Sequence, residues 1–283
     1  MYKLLGTLNI PGDKSVSHRA LILSSMSIGK SEITNLLESD DIKATITILK
    51  LLGIKIFKKS NKWIVYGNGS NGFLQPKRDL NAHNSGTTAR TMIGAISSNP
   101  IKCKMIGDKS LSKRSMSRVT IYLEKLGAKF KLTKSDYLPM EIFGTGKLIP
   151  EEITIEKPSA QIKTALIFAG LNINGKFSIR EKIPTRNHTE KLLQHLKVKH
   201  RVIKEKDGSI LIQMKGPYEI NSKNIKVAGD PSSAAFFIVG ALINPGSKIT
   251  LKNVMLNPTR IEYIRVLKKM GGKIFIKKTN KSS

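Results

Sequence analysis

LKLLGIKIF (Leu49–Phe57), LEKLGAKFK (Leu123–Lys131), LQHLKVKHRV (Leu193–Val202) and LKKMGGKIFI (Leu267–Ile276) are four versions of one pattern. Each reads as the last apolar turn of a helix, a reversal, and a strand. Aligned on Gly53, Gly127, Lys197 and Gly271, they recur at a nearly constant interval. Glycine at three of the four suits a left-handed residue just past a helix C-terminus, where a Cβ would be strained.

A second feature keeps the same period. Ser15, Ser85, Ser159 and Ser232 open SVSHRALILSSM, SGTTARTMIGAI, SAQIKTALIFAG and SSAAFFIVGALI. These stretches have helical apolar spacing and follow turn or cap signals at Pro11-Gly12-Asp13, Asn84, Pro158 and Asp230-Pro231. A second helix per unit is expected from near Asp40, Ser112, Asn187 and Pro258, the last with Asn257 as N-cap and Pro258 in its first turn. Runs such as KWIVYG and SKITLKNV read as strands. The chain is therefore α/β, with four copies of a strand–helix–strand–helix–strands unit of about 72 residues. Helices that begin equivalently can aim their free N–H groups and positive dipole ends at one region, where phosphates and carboxylates bind.

Bulk properties narrow the classes. The 283 residues are 40% apolar and 24% charged, a globular balance. The longest apolar run, Ala234–Ile243, falls far short of the roughly 18 residues that span a bilayer. MYKLLGTLNIPGD has too short an apolar stretch for a secretory signal, so a cytoplasmic, membrane-free protein is expected. One cysteine, Cys103, within the strand-like IKCKMIG, allows no internal disulfide and no metal cluster. A formal charge of +29 first suggests nucleic acid. The lysines are dispersed and aromatics make up only 6%, which favours small anionic metabolites instead.

Four motifs carry chemistry. In PGDKSVSHR (Pro11–Arg19), Lys14, Ser15 and Arg19 gather at one helix start, Ser15 and Arg19 four apart on one face. The spacing is not that of a phosphate-binding P-loop. In NSGTTAR (Asn84–Arg90), Gly86 lets a ligand approach the backbone, and Arg114 follows in SLSKRSMSR. In PSAQIK (Pro158–Lys163), Ser159 and Gln161 can meet an anion and a hydroxyl, with Lys163 read as solvated. In TRNHTE (Thr185–Glu190), Asn187 and Glu190 suit a capping box, Arg186 projects before it, and His188 reads as structural.

In order and spacing, PGDKSVSHRAL, NSGTTAR, GDKSLSKR, PSAQIKTA, TRNHTE, GDPSSAAFF and NPTR make the chain resemble the 3-phosphoshikimate 1-carboxyvinyltransferases. The resemblance spans essentially the whole sequence. It implies an enolpyruvyl transferase-like two-domain fold of six βαβαββ-type units, of which four are present. Residues 13–227 would form a complete three-unit domain. Residues 1–12 and 228–283 would form about one unit of a second, with about the C-terminal third of a relative having no counterpart.

The implied activity moves the enolpyruvyl group of phosphoenolpyruvate to the 5-hydroxyl of shikimate 3-phosphate, a step of the shikimate pathway towards chorismate and the aromatic amino acids. It implies no metal or organic cofactor, and a monomer when complete. By the same resemblance Lys14 touches both substrates and moves a proton. Ser15, Arg19, Ser159, Ala160, Gln161 and Arg186 hold shikimate 3-phosphate, and Asn84, Gly86, Arg114 and Gln161 receive phosphoenolpyruvate. Ala160 stands where some relatives have serine, leaving its backbone N–H alone to contribute. Ser115 stands where proline is common, which would loosen the loop of Arg114. An aspartate, a Lys–Glu pair and arginines of the relatives' C-terminal third have no match, so the chain alone is expected to bind weakly and not turn over. Two alternatives are a UDP-N-acetylglucosamine enolpyruvyl transferase, disfavoured by Lys14-Ser15 where Lys-Asn is typical, and a basic nucleic-acid-binding protein on the same scaffold.

Overall fold

The computed structural model describes residues 2–277. In chain order the elements are β1 (Leu5–Asn9), α1 (Lys14–Ser25), β2 (Ile28–Thr34), α2 (Asp40–Leu51), β3 (Lys55–Lys59) and β4 (Lys62–Asn68). There follow β5 (Leu80–Asn81), α3 (Gly86–Ser97), β6 (Lys102–Ile106), α4 (Ser117–Lys125), β7 (Lys129–Thr133) and β8 (Tyr137–Phe143). Then come β9 (Glu152–Ile155), α5 (Ala160–Gly170), β10 (Gly175–Glu181), α6 (His188–His195), β11 (His200–Lys204) and β12 (Ile210–Gly216). The last are β13 (Ile225–Lys226), α7 (Pro231–Ile243), β14 (Lys248–Lys252) and α8 (Glu262–Lys269).

The repeat seen in the sequence is a repeat of sheets. Three four-stranded sheets share one topology, with orders β13-β2-β4-β3, β5-β6-β8-β7 and β9-β10-β12-β11. In each, the first pair is parallel and the other two are antiparallel. The parallel partner of β2 is β13, near residue 226, so the first sheet is closed by chain that follows the third. Among the described residues the fourth sheet has only the parallel pair β1–β14.

All four helix-ending positions have positive φ: Gly53 +88°, Gly127 +94°, Lys197 +60° and Gly271 +92°. After the first three the chain enters β3, β7 and β11, each hairpinned to the next strand. After Gly271 it does not. Residues 273–277, expected as a strand, are irregular. Among the described residues no strand stands where β4, β8 and β12 pair in the other units, and an unpaired strand leaves its backbone polar groups unmatched.

Several starts differ from the sequence reading. Asp13 and Asp230 cap α1 and α7 through their carboxylates, which puts Ser15 and Ser232 inside the first turn. Ser85 and Ser159 are themselves the caps of α3 and α5. The helix expected near Ser112 is a single 3-10 turn, Leu111–Lys113, and α4 starts at Ser117. Pro258 does not open a helix. The Asn257 side chain accepts from the backbone and hydroxyl of Thr259, closing a turn, and α8 starts at Glu262. The Asn187–Glu190 capping box is also absent: Asn187 makes no side-chain cap, and Glu190 turns inward to Lys163.

Helices α1, α3 and α5 lie inside the molecule and share one continuous apolar core with the three complete sheets. The α3–α5 crossing is close. A Cβ on Gly94 would stand 2.1 Å from the carbonyl oxygen of Ala165, which only glycine avoids. By contrast α7, apolar from Ala234 to its end, buries Pro231 and Ala234 and leaves Phe236 81% exposed.

Candidate functional site

The buried helices α1, α3 and α5 begin side by side, and the sequence motifs sit on their first turns. Arg19 is the centre of this junction. It is 3% exposed, unusual for arginine. Its Nε donates to Thr189 Oγ1 at 2.9 Å, its Nη2 to Thr164 Oγ1 at 2.7 Å and to the Ala160 carbonyl at 3.1 Å, and its Nη1 to the Ser15 carbonyl at 2.9 Å. These partners are all neutral oxygens. A guanidinium has five N–H groups, and one on Nη1 has no acceptor among the described residues. Burial first, then the field of Arg186, lowers the pKa of Arg19 to about 10, so it stays charged at neutral pH.

Gln161, on the first turn of α5, ties that helix to α3. Its amide donates to Thr87 Oγ1 at 3.0 Å, and its carbonyl accepts from Arg90 Nη1 at 3.0 Å. Arg90 Nη2 reaches the Ser115 carbonyl at 3.1 Å. Arg114 is held by Asn84 Oδ1 at 2.9 Å and Ser110 Oγ at 3.1 Å, while Asn84 donates to Asp108 Oδ2 at 2.7 Å. A Cβ on Gly86 would lie 2.9 Å from Arg90 Nη1 and 3.5 Å from Arg114 Nη1. The glycine thus leaves its helix end open beside two guanidinium groups. Burial, then Arg118 and Arg114, lowers the pKa of Arg90. The loop that Ser115 was expected to loosen is tied down, because Ser115 Oγ donates to Asp136 at 2.6 Å.

On the other side, Pro158, Ser159, Ala160, Gln161, Pro184, Thr185, Arg186 and Thr259 line an open cleft of about 600 Å³. Arg186 Nη1 approaches Ser15 Oγ at 3.5 Å and makes no ion pair among the described residues. Ser159 Oγ accepts from the Ile162 N–H at 3.3 Å as the cap of α5. Lys14 is paired with Asp41 at the start of α2. His188, read as structural, is buried between Asn257 and Arg260, and burial first, then Arg19, Arg260 and Arg186, lowers its pKa to about 3.

The residues singled out in the sequence thus form two groups. Ser15, Arg19, Ser159, Ala160, Gln161 and Arg186 share one, and Asn84, Gly86 and Arg114 the other. The Gln161–Arg90 contact joins them. Arg90 has no role in the sequence reading beyond its place in a motif. Its signal is position, four residues past Gly86 and so on the same helix face.

The larger correction is Lys163, expected in solvent. It is 1% exposed, and its Nζ lies 2.7 Å from both Glu181 and Glu190, themselves buried. A lysine inside a helix whose later turns, Ala165–Gly170, are wholly apolar is the available clue. The ion triad anchors α5 to β10 and α6, which carry the Arg186 loop between them.

The EPSP synthase (3-phosphoshikimate 1-carboxyvinyltransferase) family model matches residues 1–283. A 3-phosphoshikimate 1-carboxyvinyltransferase of Caldicellulosiruptor bescii is 45% identical over 275 residues, 97% of this chain and 63% of the relative. One from Zymomonas mobilis is 42% identical over 272 residues, 96% of this chain and 60% of the relative. The structure of EPSP synthase from Acinetobacter baumannii superposes with a TM-score of 0.87 at 36% identity, covering 95% of this chain and 60% of that one. The chain therefore spans about three-fifths of the length of the relatives it matches.

Proposed function

The chain belongs to the EPSP synthase family, and on that premise we propose that it provides one wall of a site that transfers the enolpyruvyl group of phosphoenolpyruvate to the 5-hydroxyl of shikimate 3-phosphate. The observation that carries this reading is the junction of α1, α3 and α5. Three helix N-termini and the guanidinium groups of Arg19, Arg90, Arg114 and Arg186 meet there, and the arginines' hydrogen bonds go to neutral oxygens. The two substrates bring two phosphates and two carboxylates, so charge of that sign and density is what they require.

In the reaction, C3 of phosphoenolpyruvate takes a proton and the 5-hydroxyl oxygen bonds to C2 as it loses its own. The tetrahedral adduct then returns a C3 proton and expels phosphate. We assign shikimate 3-phosphate to the cleft of Ser159, Ala160, Gln161 and Arg186, with its carboxylate on the free N–H of Arg19 and Ser15 beside it. Phosphoenolpyruvate takes the space over Gly86, between Arg114 and Gln161, with Asn84 holding Arg114 in place. Arg90 fixes Gln161. Lys14, at the free end of α1, exchanges Asp41 for the substrates and serves in proton transfer. Residues 13–227 act as one domain, and 1–12 with 228–283 belong to another, the crossings lying at Gly12 and Gly229, which form an isolated antiparallel bridge. The protein works in the cytoplasm, as a monomer. Among the described residues no helix is long and apolar enough to cross a membrane.

Titration calorimetry with shikimate 3-phosphate tests the site. Weak binding that Arg186→Ala abolishes is expected, and no heat at millimolar ligand would refute the assignment. Phosphate release from both substrates should stay at background for the 283-residue chain alone. Ordinary turnover would show that the chain needs no further groups.

A further inference from the structure

Arg260 ends the NPTR motif (Asn257–Arg260) on the turn before α8, yet its side chain is 10% exposed and lies between two other helix starts. Nη1 stands 2.8 Å from Asp13 Oδ2 and 3.2 Å from His188 Nε2. Nη2 stands 3.1 Å from Asp230 Oδ1 and 2.9 Å from Ser232 Oγ. Both aspartates are N-caps. Asp13 gives its other oxygen to the Val16 N–H, and Asp230 Oδ1 also accepts from the Ser232 N–H. One fork thus joins the first turn of α1 to that of α7, two helix starts at opposite ends of the chain.

Arg186 lies against this cluster. Its one hydrogen bond among the described residues goes to Ser15, two positions past Asp13. It feels Arg260 most, after burial, with Asp13 and Asp230 pulling the other way. Removing one partner of a buried ion pair leaves an uncompensated charge, and Arg186 is a neighbouring cation that feels both carboxylates. We propose that Arg260 is a positioning residue, whose occupation of the Asp13 and Asp230 carboxylates keeps Arg186 unpaired and available to a phosphate-bearing ligand in the adjoining cleft. The ligand part of this rests on the function proposed above; the charge competition does not.

The competition is read with phenylglyoxal, which modifies free guanidinium groups, followed by mass spectrometry of the peptide containing Arg186. Three proteins are compared: the unmodified chain, Arg260→Ala, and Arg260→Ala combined with Asp13→Asn and Asp230→Asn. Asparagine caps helices about as well as aspartate, so the last variant keeps its caps while losing the charges. In Arg260→Ala the modification rate of Arg186 should fall at least fivefold, because the aspartates capture it, and it should recover in the triple variant. Affinity for shikimate 3-phosphate should follow the same course, falling about tenfold and then returning. A rate that rises in both variants would mean that Arg260 only braces the helix starts, and would overturn the proposal, as would an unchanged rate. If the modification rates behave as expected but the unmodified chain binds no shikimate 3-phosphate, the charge competition stands and the ligand assignment fails.

Discussion

Residues 13–227 and residues 228–277 are built from the same repeated unit, yet they reach opposite states of burial. In the first region α1, α3 and α5 are enclosed by one another and by three four-stranded sheets. In the second, α7 has the most uniformly apolar sequence of the four, but Phe236 and Ile243 are 81% and 68% exposed, and its sheet has two strands. A helix apolar on every side belongs in an interior. The difference teaches that the unit is not self-sufficient. It needs sister helices beside it and a hairpin partner behind its second helix, and among the described residues the buried junction of helix starts forms where three units supply these.

The comparison breaks if equivalent insults cost the same in both regions. The largest contrast is expected for ion pairs. Lys163→Met strands two buried carboxylates and should cost about 3–5 kcal/mol by urea denaturation. Arg265→Met removes only the exposed pair with Glu262 and should cost less than about 1 kcal/mol. Equal costs would mean the triad contributes nothing special.

Acid is the next lever. His18 and His188 have folded-state pKa values lowered to about 3, chiefly by burial, from an ordinary 6.5. Between those values the unfolded chain binds more protons, so stability is full above pH 6.5 and falls as the pH drops towards 3. The slope should approach roughly 1.4 kcal/mol per pH unit for each histidine. His18→Gln should flatten it in denaturation curves at pH 7, 6 and 5; an unchanged slope would place the acid sensitivity elsewhere.

Glycine substitutions give the smallest contrast, but one of sign. Gly94→Ala drives a Cβ into the Ala165 carbonyl and should destabilise by about 1–3 kcal/mol. Gly240→Ala on α7 meets only Leu4 at 3.4 Å and should stabilise by about 0.5–1 kcal/mol through helix propensity. Thermal melts of both variants would show whether α7 is as open in solution as its exposure implies.

Much of this is legible in the sequence. The period of helix-ending positions locates the four left-handed residues that follow the second helix of each unit, Lys197 included, because the backbone needs that turn whatever side chain it carries. The motif residues on α1, α3 and α5 converge because equivalent starts in a repeat are brought to equivalent places. What escapes the sequence depends on partners distant in the chain. Lys163 reads as solvated because its carboxylates, Glu181 and Glu190, lie on other elements further along the chain. The capping box at Asn187 is lost because Glu190 has a stronger partner in that lysine. Pro258 suits a helix start locally, but the Asn257 turn prevails, with Arg260 bound to two remote aspartates. The strand expected at 273–277 has the right pattern and lacks a neighbour.

The most direct test of the central claim is an amide NMR titration of the deuterated chain with shikimate 3-phosphate. The account predicts shifts concentrated at the first turns of α1 and α5 and at the Arg186 loop, residues 14–17, 160–163 and 185–187, spreading to residues 86–89 when phosphoenolpyruvate is added, with α7 silent. Shifts centred on the start of α7, or scattered over surface lysines, would contradict it.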